Sequence, residues 1–285
     1  MQNSERNPLA KAFALLRWVV DANVSSIGVR EAAKALSMTP SSAHRVIMAL
    51  VEEGLLEQQP DSSRYVLGLE MVRLAHTVTD RWSVRTIAQE PLRQLVAASD
   101  EAAFLNLYDR ARGEIIGVEC VESNQVLRYV VELHKWKPVY VGAAGWAVMA
   151  HLDDAERQAI VKRTALEPVT PLSITDPLDL EEQLDQVRVR GYAITHGQRI
   201  PGAVGLAVPL FGPSGRVFGS IGLSMPEQRF SVGKELRLST LLKQCATQVM
   251  QFTGGQGHDS TRLSIRETAK PGPVSNRLRL EDSGH

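Results

Sequence analysis

The chain has 285 residues, 44% of them hydrophobic, which is enough for two buried cores and too apolar for a wholly disordered protein. Lysine plus arginine and aspartate plus glutamate number 32 each, so global charge argues for neither nucleic acid nor an anionic membrane, and any such contact must come from a local arrangement. Cys120 and Cys245 lie far apart without disulfide-framework or zinc spacing, no basic segment leads into an apolar run at the start, and no stretch approaches the roughly 20 apolar residues of a membrane span, so a cytoplasmic protein with buried reduced thiols is expected.

Asn7 and Pro8 suit a cap and a first helical position, and Leu9, Phe13, Leu16 and Val20 recur behind them at helical spacing. VREAAKALS predicts a brief second helix with Val29, Ala32, Ala33 and Leu36 on one face. In the third, Thr39 caps, Pro40 takes the first position, Ala43, Val46, Ile47, Leu50 and Val51 form the buried stripe, and Gly54 ends the helix. Two short strands follow, Leu55–Gln58 and Arg64–Leu67, around the turn-forming PDSS. Three helices with a tight second turn and a hairpin make a winged helix-turn-helix over residues 1–68.

Residues 69–86 read as a linker helix, and Pro91 as a break or kink before the body of a second domain spanning 87–252. There the period changes. AAFLNLYD, EIIGVECV and QVLRYVVEL are strand-like; GWAVMAHL, DAERQAIVKR and LDLEEQLDQVRVRG are helical; YAIT, GAVGLAVPLF and RVFGSIGLSM are strands, the last two joined at GPSG. A final helix is expected from Val232 to Phe252. The fold class is therefore α+β, a winged helix-turn-helix followed by a sensor-like domain of mixed strands and helices. Residues 253–285, poor in apolar periodicity and rich in Gly, Ser and Pro, read as a disordered tail.

In a helix-turn-helix the second helix of the pair enters the major groove with its first turns at the base edges. Ser41, Ser42, His44 and Arg45 fall there. Arginine can hold guanine with two bonds, serine serves bases or phosphate, and a helix N-terminus attracts phosphate. Arg64 in the wing and Arg30 and Lys34 on the second helix extend the positive face. Residues 1–70 nevertheless carry seven Lys and Arg against eight Asp and Glu, which favours a dimer gaining affinity from two half-sites. A winged helix used for protein contacts, with Arg45 on a solvated surface, is the competing reading.

SSAHRVIMALVEEGLLEQQPDSSRYVLGLEMVRL resembles the recognition helix, wing and linker of the IclR-type bacterial transcriptional regulators. PVYVGAAGWAVMAHL resembles that family's pocket loop, and RGYAITHGQRIPGAVGLAVPLFGPSGRVFGSIGLSMPEQRF the strands that close its effector site. The resemblance runs over roughly residues 9–252. It implies a C-terminal domain similar to GAF and PAS sensors that binds a small molecule, usually a carboxylate or aromatic metabolite. It also implies dimers or dimers of dimers on double-stranded, palindromic operator DNA. The matching positions place Gly142, Ala143, Ala144, Gly145, Trp146, Thr195, Gly205, Gly222 and Ser224 at the effector pocket.

Family members that hold small polar acids tend to have an acidic residue, a cysteine and a serine where this chain has Thr195, Gly205 and Gly222. Trp146 stands where a basic residue is common. Fewer polar partners and more room imply a larger, more apolar effector such as an aromatic acid, its anionic end near the backbone amides around Gly145. Against this, Gly205 and Gly222 can serve close strand packing and Trp146 can be core. His196 and Arg199 lie on a loop beside the pocket strands, either solvated or reaching an anion.

Enzyme chemistry is not expected. GAAGWA lacks the Lys-Ser/Thr of a phosphate loop, no serine sits in GxSxG, and His134, His151 and His196 are not spaced like HExxH, so neither metal nor cofactor is implied.

Overall fold

The structure is a computed structural model that describes residues 7–253 except Asn23, Trp82, Val130 and Val131, with the side chains of residues 78–83 left out. The tail expected beyond Thr253 lies outside the described residues. The chain separates into two compact units, Met1–Ser83 and Val84–His285.

The first unit opens with α1 (Pro8–Ala22), where Asn7 Oδ1 accepts the Leu9 amide at 2.9 Å as an N-cap. A short β1 (Ile27–Gly28) leads into α2 (Val29–Ala35), and Thr39 caps α3 (Pro40–Glu52) by accepting the Ser42 amide at 3.3 Å. Gly54 stops α3 with φ +69°, and β2 (Leu56–Gln58) and β3 (Arg64–Leu67) form the wing. The three strands pair in the order β1-β3-β2, all antiparallel. β1 escaped the sequence reading because two residues carry no period.

The expected stripe on α1 is only partly the core stripe. Leu15 and Val19 are buried with Ile27, Ala32, Ile47, Leu50 and Tyr65, and Leu16 packs against them, while Leu9, Phe13 and Val20 are exposed. The helix is apolar on two sides, so periodicity alone could not choose between them.

α4 (Leu69–Arg81) follows the wing, and α5 (Ser83–Ser99) begins the second unit's sequence. Pro91 lies inside α5 and does not end it. A helix-interior proline costs about 3 kcal/mol, but Ala88, Leu92 and Leu95 on the same helix are buried, and each buried leucine returns about 2 kcal/mol.

The second unit is built on a six-stranded antiparallel sheet in the order β6-β5-β4-β9-β8-β7. Its strands are β4 (Ala102–Asp109), β5 (Glu114–Val121), β6 (Trp136–Pro138), β7 (Ala193–His196), β8 (Ala203–Phe211) and β9 (Val217–Pro226). The helices are α6 (Ala143–Met149), α7 (Asp154–Thr164), α8 (Pro177–Arg190) and α9 (Val232–Thr253). β8 and β9 are buried almost without alternation, which requires cover on both faces. α6 and α9 both pack on these strands.

QVLRYVVEL is not a strand among the described residues. Val126 is 99% exposed, and the Leu127 carbonyl accepts Arg229, while Arg128 pairs with Glu122 at 3.1 Å. Side chains, in place of a neighbouring strand, hold this segment, and the strand that pairs with β5 on the side away from β4 is the short β6 after it.

Candidate functional site

Two arrangements carry polar groups without an obvious structural duty: the N-terminal turns of α3 and a cavity beside the C-terminal sheet.

On α3, Ala43, Ile47 and Leu50 point into the core, and the opposite face leaves Ser41, His44 and Arg45 exposed and Ser42 half-buried. Ser41 Oγ lies 3.2 Å from Thr39 Oγ1, and the Ser42 amide is engaged by the cap, so the first turn is ordered before any partner arrives. Arg30 and Lys34 are exposed on α2. Arg64 is not free to extend this face. Its guanidinium donates to Ser26 Oγ at 2.7 Å, to the Ser26 carbonyl at 2.8 Å and to both carboxylate oxygens of Glu31 at 3.0 Å. The hydrogen bond from Arg64 holds the Glu31 carboxyl below its ordinary range. Arg64 is a strut between wing and α2. Its sequence signal, a cation on a wing strand, did not reveal the carboxylate that folding brings to it.

The cavity has a volume of about 600 Å³ and lies on the side of the sheet that α6 covers, within the range of small-molecule sites. Gly142, Ala143, Ala144, Thr195, Gly205 and Ser224 line it as expected from the sequence. Thr195 Oγ1 accepts the buried Ala143 amide at 3.1 Å and so ties β7 to the start of α6. At Gly205 an added Cβ would stand 3.4 Å from Ala143 Cβ and 3.5 Å from Thr195 Oγ1. Its lack of a side chain therefore keeps the cavity open beside α6.

Gly145, Trp146 and Gly222 do not line the cavity. A Cβ on Gly145 would fall 2.2 Å from the Val139 carbonyl oxygen, so this glycine exists for close backbone approach. Trp146 is 1% exposed and donates Nε1–H to the Tyr140 carbonyl at 2.8 Å, which makes it a core residue with its polar edge satisfied. Over Gly222 lies the Phe104 ring, 2.5 Å from where a Cβ would be. The room that a glycine at 222 opens is thus filled by Phe104, which itself forms part of the wall.

Sequence reasoning missed most of the polar lining. Lys137 on β6 and Arg199 on the loop after β7 both face the cavity, with Asn106, Gln198, Tyr129 and Glu132. Of the two loop residues weighed from the sequence, Arg199 lines the cavity. His196 is exposed, with Nδ1 3.8 Å from Glu227 Oε1 and its ring edge-on to Phe230. Burial pushes Lys137 down to about 8, helped by the positive charge of Arg199, and burial lowers Arg199 as well. Asn106 Nδ2 and Gln198 Oε1 are buried without a hydrogen-bond partner among the described residues. The remaining wall, including Phe104, Ile115, Val141 and Ile200, is apolar. Such an arrangement can bind a partly apolar anion. It shows no nucleophile with a base, and the described residues contain no group of metal-ligating side chains. No helix among them is long and apolar enough to cross a membrane.

The family profile described as the IclR helix-turn-helix domain matches residues 8–60, and that of the bacterial transcriptional regulator IclR C-terminal domain matches residues 76–251. The HTH-type transcriptional regulator KipR of Bacillus subtilis is 28% identical over 254 residues, covering 89% of this chain and 99% of its own. The HTH-type transcriptional regulator Rv1719 of Mycobacterium tuberculosis is 31% identical over 247 residues, covering 87% and 92%. A crystal structure of an IclR homolog from Microbacterium hydrocarbonoxydans, complexed with 4-hydroxybenzoate, superposes with a TM-score of 0.75 at 20% identity, over 90% of this chain and 100% of that one. With both domains matched in order and relatives covered along nearly their whole length, the chain belongs to the IclR family of DNA-binding bacterial transcriptional regulators, which are not enzymes.

Proposed function

We propose that this regulator binds operator DNA upstream of a catabolic operon in the cytoplasm and is controlled by a small organic acid with an aromatic body. The observation that carries the reading is a cavity of about 600 Å³ whose wall is mainly apolar but includes Lys137 and Arg199, neither within ion-pair distance of a carboxylate among the described residues. An aliphatic acid of two or three carbons would leave most of that volume unfilled. The homolog with bound 4-hydroxybenzoate makes an aromatic acid a natural first ligand. The anionic end is assigned to Lys137 and Arg199 in preference to the amides around Gly145, because the Ala143 amide is already engaged by Thr195 and Gly145 packs on Val139.

On the DNA side, Ser41, Ser42, His44 and Arg45 are the base- and phosphate-facing residues, with Arg30 and Lys34 beside them. The exposed Leu9, Phe13 and Val20 on α1 support assembly as a homodimer or dimer of dimers, since a helix apolar on two sides leaves one for a second copy. Effector binding is proposed to alter the spacing of two recognition helices through the segment 69–86. Half-sites one helical turn apart tolerate little change, so a modest shift alters occupancy.

The test is fluorescence anisotropy on the protein's own upstream DNA at several salt concentrations, with a panel of aromatic and short-chain acids. Binding that weakens steeply with salt and shifts on adding an aromatic acid is expected. Tight binding of glyoxylate or pyruvate with none of aromatic acids would overturn the ligand class. Folded protein with no DNA affinity at any salt would make the winged helix a protein-contact module, and unchanged operator affinity at saturating bound effector would refute the coupling.

A further inference from the structure

We infer that Lys137 and Arg199, with the side-chain amide of Asn106, form a cationic seat that makes the cavity select a ligand carboxylate over a neutral compound of the same shape. The inference rests on the cavity being the effector site and goes further by naming the groups that decide the ligand's charge.

Lys137 is 7% exposed, and the one acceptor recorded for its Nζ is the Glu132 backbone carbonyl at 2.6 Å. An ammonium carries three donors and a guanidinium five. Among the described residues, Lys137 therefore has donors to spare, and the Arg199 guanidinium makes no hydrogen bond or ion pair. Asn106, 2% exposed, adds an unpaired N–H in the same wall. A buried lysine, a half-buried arginine and an orphaned donor around one cavity are costly to desolvate, and a bound carboxylate offsets that cost by supplying four lone-pair sites. A packing role alone would favour an apolar side chain at 137.

The charged and titratable groups acting on Lys137 come from three directions: Arg199 on the loop after β7, Glu132 and Lys135 on the segment before β6, and Cys120 on β5. Among the described residues Glu132 is the single carboxylate in the lining, and its Oε1 is held by Lys135 Nζ at 2.7 Å on the exposed side. Burial and the Arg199 charge thus leave Lys137 titrating near 8 in the empty cavity, and Cys120, itself raised to about 11 by burial, stays a neutral thiol through that range. A bound anion favours the ammonium and raises its pKa. Carboxylate affinity is then full below about 8 and falls above it, by up to about tenfold per pH unit, as a proton has to be taken up on binding.

Calorimetry on the full chain with matched pairs tests this: 4-hydroxybenzoate against 4-hydroxybenzamide, and pyruvate against pyruvamide, from pH 6.5 to 9.5. Preference for the carboxylate by about tenfold or more is expected. Lys137→Gln and Arg199→Gln should each erase most of it, whereas Lys137→Arg should keep the preference and remove the loss above pH 8. Retained binding of the amide shows that a variant is folded. Equal binding of 4-hydroxybenzoate and its amide to the wild type overturns the seat and leaves the aromatic reading standing. Binding of pyruvate alone, with dependence on Lys137, keeps the seat and overturns the aromatic reading. If no member of either pair binds, both fall. If Lys137→Gln weakens acid and amide alike, Lys137 only braces the Glu132 segment.

Discussion

The recognition helix and the cavity both depend on arginine and small polar side chains, but they place them against opposite backgrounds. On α3 the polar residues are what remains after Ala43, Ile47 and Leu50 have turned inward, so they face water, which DNA displaces on the proposed reading. In the cavity the polar residues are themselves turned inward, and Lys137 loses hydration on folding with only a backbone carbonyl in return. A surface site can thus be found by subtraction from the core pattern. A cavity site cannot, because its charges stand where the pattern leads one to expect hydrocarbon or a solvated loop. The same contrast explains why Arg45 and Arg64, both assigned to DNA from sequence, part company: among the described residues one is untethered, and the other is tied to Ser26 and Glu31.

The sharpest way to break the comparison is at two glycines, Gly145 in the pocket loop and Gly205 on β8. Gly145→Ala would drive a Cβ to 2.2 Å from a backbone oxygen that cannot swing away, and a loss of about 3 kcal/mol in chemical denaturation is expected. Gly205→Ala meets only ordinary contacts at 3.4 Å and 3.5 Å. It should stay folded and weaken ligand binding by narrowing the cavity. A fully stable Gly145→Ala protein that loses ligand would return Gly145 to the pocket wall.

Arg45→Ala examines the other region. If Arg45 reads a base, specific operator binding should fall by about 1–3 kcal/mol while random DNA is little affected. An equal loss on both sequences would mark a phosphate contact instead. Arg64→Ala supplies the contrast: thermal melting of the N-terminal unit should drop, and specific and random DNA should be affected alike, because what is lost is the strut to Glu31.

Lys137→Met then asks whether the buried charge carries a stability cost. With the folded value lowered to about 8 from an ordinary 10.5, that cost is fully present below pH 8 and disappears as pH rises towards the unfolded value. The methionine variant should therefore melt higher than wild type at pH 7 by a few degrees, and the gap should close between pH 8 and 10.5. A variant that melts lower at pH 7 would show that the bond to the Glu132 carbonyl outweighs the desolvation.

Much of the architecture was legible because it rests on local chemistry. Thr39 and Pro40 announce α3, Gly191 ends α8 with φ +74°, and the GPSG turn joins β8 to β9. The failures share a cause. Whether QVLRYVVEL is a strand depends on a neighbour to pair with, the inward side of α1 depends on what it packs against, and Pro91 stays helical while its neighbours Ala88, Leu92 and Leu95 are buried in the core of the second unit. Lys137 belongs with these. HKWKPVY carries no period that would give Lys137 a side, and the pairing of Trp136–Pro138 with β5, Ile115 opposite Lys137, is what places it at the cavity.

Trp146 is the smallest of these cases. The resemblance put it in the pocket and the structure puts it in the core, its indole N–H on the Tyr140 carbonyl at 2.8 Å. Tyr140 is itself held, its hydroxyl donating to the Glu167 carbonyl at 3.0 Å, so the tryptophan fixes the turn between β6 and α6 from inside. Trp146→Phe keeps most of the buried ring and removes that one donor. A loss of about 1 kcal/mol in denaturation is expected, with ligand affinity unchanged. Should affinity fall severalfold while stability holds, the indole reaches the effector after all, and the cavity wall extends two residues beyond Ala144 along α6.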